Sequence, residues 1–234
     1  MKIGIIVAME KELNALQRVF GDDPRYVIKQ CGIGKVNAAI GAAEMIREHH
    51  PDAIVSSGCA GGNGADLHVQ DVVVSTELTY HDVYCGEAVD GSCVYGQVQG
   101  MPARFQADPD MLAVAKKLSA RPAGALSEQS GERTLNSKLS TVFGLIVTGD
   151  WFVDSREKMR QIIEKFPDAR AVDMESCAIA QTCYVFGVPF ISFRIISDIP
   201  LSDTNASQYH DFWSQMADRS FHVTRAFAEA LINK

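Results

Sequence analysis

Asp173, Glu175, Arg194, Ser197 and Asp198 carry groups that move protons or hold charge, and they bracket one stretch, AVDMESCAIAQTCYVFGVPFISFRIISDIP, residues 171–200. Carboxylates, a guanidinium and a hydroxyl are the groups of general acid–base and electrostatic catalysis. Three elements must position them. Asp173 and Glu175 flank Met174 at the edge of a helix predicted over Ser176 to Phe186. The apolar run Phe190 to Ile196 predicts a strand that delivers Arg194, Ser197 and Asp198 at its end. Strand end, helix and strand bring the two groups back together, and in open α/β sheets binding crevices lie outside the carboxyl ends of the strands.

The rest of the chain supplies further strand ends. Lys2 to Val7 reads as a strand buried on both faces, and Ala8 to Phe20 as a helix with Met9, Leu13, Leu16 and Phe20 at helical spacing. Glu10 and Glu12 fall in its first turn, where the helix dipole favours negative charge; Glu10 reads as a solvated acid. A short strand at Tyr26 to Lys29 precedes Cys31-Gly-Ile-Gly-Lys35, which leads into a helix over Val36 to His50. The glycines allow a tight turn whose backbone amides can face an anion or a sugar, although GxxxxGK[ST] is absent. Ala53 to Ser57 reads as a strand running into the densest glycine cluster, Gly58 to Gly64, where a ligand can approach the backbone.

Asp71 to Leu78 and Thr79 to Val83 read as two more strands, and Gly86 to Pro102 as loop and hairpin. Asp108 and Pro109 predict an N-cap and first turn for a helix ending near Ser119. Residues 120–140, rich in Ser, Gly, Arg and Glu, read as a mobile surface insertion. Thr141 to Val147 predicts a strand ending in Thr148-Gly-Asp-Trp-Phe-Val153, and Ser155 a cap for a helix over Arg156 to Phe166. Trp151 and Phe152 are either core residues or, at a strand end, stacking plates for a planar ligand. After a loop at 199–205 comes one last amphipathic helix with the stripe Phe212, Met216, Val223, Phe227 and Leu231. The alternation predicts a single α/β domain over residues 1–234.

Composition narrows the function. A net charge of −7, with no run of Lys or Arg, argues against a nucleic-acid surface. No stretch approaches the ~20 apolar residues that span a bilayer, and the opening is too short for a signal h-region, so a cytoplasmic protein with reduced cysteines is expected. Without a CxxC, and with scattered histidines, no structural zinc site is expected. His81 and His210 read as structural or surface residues.

Six short motifs stand at these strand ends: AMEKE at 8–12, GIGK at 32–35, SGCAGG at 57–62, TGDWFV at 148–153, VDMES at 172–176 and RIISD at 194–198. Jointly and in this order they resemble the 5′-methylthioadenosine/S-adenosylhomocysteine nucleosidases of the purine nucleoside phosphorylase-like superfamily, over nearly the whole chain. The resemblance implies a three-layer α/β/α fold with a mixed, largely parallel sheet, and hydrolysis of the N-glycosidic bond of adenine thionucleosides without a cofactor. It makes Asp198 the acid at purine N7, Ser197 its orienting neighbour, and Glu12 the base that activates water with help from Arg194. Glu175, with Asp173 nearby, would hold the ribose hydroxyls, and Met174 and Met9 would pack against the substrate. Phe152 would stack on adenine while the Val153 backbone reads its edge. Cys59, Ala60 and Gly61 would line the site, and Ile33 and Tyr209 would border the 5′-thio group. A homodimer is implied, with Phe105 reaching the neighbouring site.

The chemistry agrees with those roles. N-ribosyl cleavage passes through an oxocarbenium-like state that nearby carboxylates stabilise. Asp198, at the end of a buried strand, should have a raised pKa; Glu12, in a helix's first turn, should stay ionised. The chain departs from the family's pattern at Asp173, where Glu is frequent, at Cys59, where Ser is usual, and in the shortened segment between Phe20 and Cys31. The main reading extends to 5′-deoxyadenosine as a further substrate, and three alternatives stay open: a phosphorylase, a hydrolase of another adenine nucleoside such as futalosine or AMP, and a non-catalytic nucleoside-binding protein. A structural acid capping the following turn is the plain alternative for Asp198, and packing that for Met174.

Overall fold

A computed structural model describes residues 1–86, 93–120, 140–202, 205–215 and 217–234. The chain begins with β1 (Ile3–Val7), α1 (Glu10–Phe20), β2 (Tyr26–Gln30), α2 (Lys35–His49), β3 (Ala53–Gly62) and β4 (Val72–Tyr80). After the short β5 (Phe105–Gln106) come α3 (Pro109–Ser119), β6 (Thr141–Thr148), α4 (Arg156–Lys165), β7 (Ala169–Asp173), α5 (Ser176–Phe186) and β8 (Phe190–Asp198). Two helical stretches, α6 (Asn205–Gln215) and α7 (Ala217–Ile232), lie on either side of position 216 where one terminal helix was predicted. Of the predicted stripe, Phe212, Phe227 and Leu231 are buried and Val223 packs against the same core, whereas Met216 lies outside the described residues. The predicted insertion at 120–140 also falls almost wholly outside them.

Strand alternation explains why helices cover both faces. Ile3, Ile5 and Val7 of β1 point into a core shared with α1, α3 and α7, built on Leu16, Met111, Phe221 and Phe227. Ile6 points the other way, into a core shared with α2 and α5 through Ala42, Met45, Ala178 and Ile179. A third cluster packs Met159 and Ile162 of α4 against Leu145 and Val147 of β6. Strands buried on both faces read as continuous apolar runs, which is how β1 and β8 stand out in the sequence.

The sheet is mixed and largely parallel: β1 pairs in parallel with β2 and β3, β3 with β8, β4 with β6, and β6 with β7, while β3–β7, β4–β5 and β4–β8 are antiparallel. It does not stay open between two helix layers as expected. β3, β8, β4, β6 and β7 form a closed circuit, because the far end of β3 turns back to pair Gly61 and Gly62 with Val172 and Ala171 of β7. The glycine cluster, up to Gly62, is therefore the last half of a strand and not a loop. A Cβ at Gly62 would stand 2.8 Å from Ile199, and one at Gly61 2.9 Å from Pro200, so the segment after β8 packs closely on this end of β3.

β4 is one strand where two were predicted; a register irregularity between Ser75 and Glu77 keeps it paired to β6 up to Tyr80. The predicted caps hold: Asp108 accepts from the Asp110 and Met111 amides, and Ser155 from the Lys158 amide. Among the described residues, no helix is long and apolar enough to cross a membrane.

Candidate active site

The register of β3 and β8 sets Arg194 beside Gly58 and Asp198 beside Gly61; that of β6 and β7 sets Thr148 beside Asp173. Carboxyl ends of four strands thus converge, joined by the turn between β1 and α1. They surround an open-mouthed cleft. Ala8, Met9, Glu12, Ile33, Cys59, Ala60, Gly61, Trp151, Phe152, Val153, Val172, Asp173, Met174, Glu175, Ser197, Asp198 and Tyr209 line it. All the predicted site residues are in this wall except Arg194, which stands behind it at 2% exposure, and Phe105. Phe105 is 4% exposed and packs with its ring T-shaped to that of Tyr184.

Glu12 is held at three points. Its Oε2 accepts from the amides of Ala8 (2.9 Å) and Met9 (3.0 Å), and its Oε1 from the amide of Cys59 (3.0 Å). As the third residue of α1 reaching back to the N-cap amide, it also caps its helix, so its structural and chemical roles coincide. Glu10 is exposed, as predicted. The expectation that Glu12 stays readily ionised is corrected: burial raises its pKa despite the nearby Arg194 and the three amides, because only 2% of the residue meets solvent.

Glu175 accepts from the Gly34 amide at 2.9 Å. The GIGK turn therefore does face an anion, and that anion is the protein's own carboxylate. Gly34 has φ +94°, which favours glycine, and the next amide, that of Lys35, donates to Asp150 at 2.8 Å. Lys35 Nζ and the Asp150 amide both bond Asp82, tying the start of α2 to the segment that carries Trp151, Phe152 and Val153. Burial, then the Asp173 charge, pushes Glu175 up to about 7, with Arg194 opposing.

Asp198 is differently placed. Its Oδ1 accepts from the Ser197 hydroxyl at 2.7 Å, which supports the orienting role expected of Ser197. Burial pushes Asp198 up to about 6, as its place at the end of a buried strand predicted, and the Ser197 bond pulls the other way. Around these carboxyls stand apolar plates. Phe152 is 57% exposed with its ring 5.7 Å from that of Tyr209, and Ile33 is 51% exposed at the rim. Burial holds the Cys59 thiol protonated, its pKa well above the usual value.

Sequence reasoning missed Ala8 and Val172 in the wall, and left Trp151 undecided between core and ligand. It also missed Thr148, Ser176 and Ser56, which hold Asp173 and Arg194 from behind. Thr148 and Ser176 lie inside the quoted motifs, so the signal was there; Ser56 carried none. His210 is exposed, whereas His81 is buried, its ring nitrogens without hydrogen-bond partners and its edge against Trp151.

The sequence profile of the phosphorylase superfamily matches residues 2–233 of this chain. The chain is 40% identical to the 5′-methylthioadenosine/S-adenosylhomocysteine nucleosidase of Chromohalobacter salexigens, over 88% of this chain and 80% of that one. It is 39% identical to the Exiguobacterium enzyme of the same name, over 99% of each. The crystal structure of the nucleosidase from Colwellia psychrerythraea in complex with adenine superposes with a TM-score of 0.84 at 33% identity, covering 99% of this chain and 96% of that one. That from Neisseria meningitidis with methylthio-immucillin-A gives 0.83 at 31% identity, over 98% and 99%. The chain belongs to the 5′-methylthioadenosine/S-adenosylhomocysteine nucleosidase family of that superfamily.

Proposed function

We propose that the protein hydrolyses the N-glycosidic bond of 5′-methylthioadenosine and S-adenosylhomocysteine, releasing adenine and the thioribose. The observation that carries the choice of hydrolysis is the charge of the wall: its ionisable residues with a formal charge are Glu12, Asp173, Glu175 and Asp198, with no Lys, Arg or His among the described lining residues. A phosphorylase must hold a phosphate dianion, which calls for cationic donors in the wall. Carboxylates repel that dianion and stabilise an oxocarbenium ion. The relatives named as nucleosidases, one crystallised with adenine, support the same substrate class.

The roles follow from the surroundings. Adenine stacks on Phe152 with its edge against the Val153 backbone, which leaves N7 facing Asp198. With its pKa raised to about 6, Asp198 holds a proton more readily than a free carboxyl and gives it to N7 as the bond breaks. Glu175 receives the ribose hydroxyls, and Glu12, fixed by three amides, takes a proton from the attacking water. Met9 and Met174 pack against the sugar; Ile33 and Tyr209 border the apolar 5′-thio group.

The proposed assembly is a homodimer. Val36 and Ile40 of α2 and Tyr184, Val185 and Phe186 of α5 are large apolar side chains exposed on two helices packed side by side, and a second copy is the partner whose matching surface would cover them.

Adenine release from 5′-methylthioadenosine, followed with and without phosphate, tests the reaction. Phosphate-independent release with free methylthioribose is expected. Release only with phosphate, giving a sugar 1-phosphate, makes the protein a phosphorylase and removes Glu12 as the water-activating base.

A further inference from the structure

Asp173 was expected to touch substrate, yet its carboxylate turns away from the cleft. The residue is in the wall, but its side chain is 1% exposed. Oδ1 accepts from the Thr148 hydroxyl at 2.5 Å. Oδ2 accepts from the Ser176 amide at 3.1 Å, from the Ser176 hydroxyl, and from Arg194 Nε at 2.6 Å. Three donors crowd Oδ2 and one holds Oδ1, and with its side chain 1% exposed the carboxylate is engaged by the protein's own groups rather than presented to a ribose hydroxyl.

Those bonds fix Arg194. Its Nε rests on Asp173 and its Nη2 donates to Ser56 Oγ at 2.9 Å. The remaining nitrogen, Nη1, has only a long 3.4 Å contact to the Phe193 carbonyl. It lies 3.1 Å from the point a Cβ on Gly58 would occupy, and Glu12 Oε1 lies 2.7 Å from the same point. One buried guanidinium thus serves Asp173, Glu175 and Glu12, and only Asp173 bonds it directly.

We propose that Asp173 is a positioning residue, which anchors Arg194 through Nε and thereby sets how this buried positive charge is shared between Glu12 and Glu175. This assignment rests on the hydrolase reading above. The groups facing Asp173 are Arg194 on β8, Glu175 and Cys177 at the start of α5, and His81 beyond β4, with Glu12 of α1 behind Arg194. Burial keeps His81 neutral and Cys177 protonated, which leaves the carboxyls to titrate. Asp198 answers only to its own burial and to Ser197, and so acts as an internal control.

Asp173→Asn is the test, read as the pH profile of adenine release. With the competing negative charge gone, Arg194 favours ionisation of Glu175 and Glu12 more strongly. With Glu175 at about 7 and Asp198 at about 6, the break at the higher pH reports the carboxylates that must be ionised; it should move down by about one pH unit, while the lower break, set by Asp198, stays in place. Loss of the anchor should lower kcat about 10²-fold with KM little changed, because no substrate contact is removed. Asp173→Glu, which restores the charge, should return the higher break to its wild-type position. A raised KM with unchanged kcat would make Asp173 a substrate contact, and lost activity with an unmoved profile would make it merely structural; either overturns the proposal. Should Asp173→Asn not fold, Asp173→Glu decides alone: a wild-type KM and higher break support the assignment, and a raised KM overturns it. Failure of the hydrolase reading would show separately, as absence of phosphate-independent release by the wild type.

Discussion

Replacing Asp198 by Asn separates catalysis from folding, because the two should move in opposite directions. The carboxyl is 9% exposed and has one hydroxyl donor, so burial raises it from the model-peptide value of 3.8 to about 6. The unfolded chain gives up this proton near 3.8 and the folded chain near 6. Between those values the unfolded state is the one that has lost its proton, so wild-type stability falls as pH rises through the window and stays lower above it. At about 1.4 kcal/mol per pH unit, the cost above pH 6 is at most about 3 kcal/mol. Asn cannot ionise and has the same shape. At pH 7.5 Asp198→Asn should melt several degrees above the wild type, and below pH 3.8 the difference should vanish. Adenine release should meanwhile fall about 10²–10⁴-fold, or about 3–5 kcal/mol of barrier, with KM nearly unchanged. Melting at both pH values and steady-state adenine release measure all of this. A kcat within about threefold of the wild type would refute the acid role, and lost activity with a lower melting point at pH 7.5 would show a structural residue instead.

Two further substitutions probe the geometry. In Gly58→Ala the new methyl would stand 2.7 Å from Glu12 Oε1 and 3.1 Å from Arg194 Nη1, both of them held by other bonds. It should lower kcat about 10²-fold and stability by about 1–3 kcal/mol; normal kcat would show that Glu12 need not stay where it is. Phe152→Ala removes a half-exposed ring from the cleft, so the melting point should hold while KM rises by the ~1–3 kcal/mol of base–aromatic stacking. An unchanged KM would take Phe152 out of the purine site.

What the sequence disclosed was mostly local. The boundaries of α5 were readable because Ser176 begins an apolar helical run and Gly187, with φ +67°, ends it. Asp108, Pro109 and Ser155 marked helix starts by the same local chemistry. The wall residues were readable only because six strand ends carried motifs in a fixed order; alone, Ile33 or Tyr209 says nothing about a site. The pKa of Asp198 was foreseeable from its strand. That of Glu12 was not, because what buries it are the residues around Cys59 and Arg194, distant in sequence.

The closed circuit of strands was beyond reach for the same reason. It depends on Gly61 and Gly62 pairing with Val172 and Ala171 across more than a hundred residues, and neither segment advertises the partner. Yet this pairing makes the site. By turning β3 onto β7 it brings the cluster beside Cys59 against the acids that follow β7, and it lays Arg194 where Asp173 and Glu12 can both bear on it. An open sheet would leave Asp173 to meet solvent or substrate; closure is what buries it and turns a predicted ligand into an anchor.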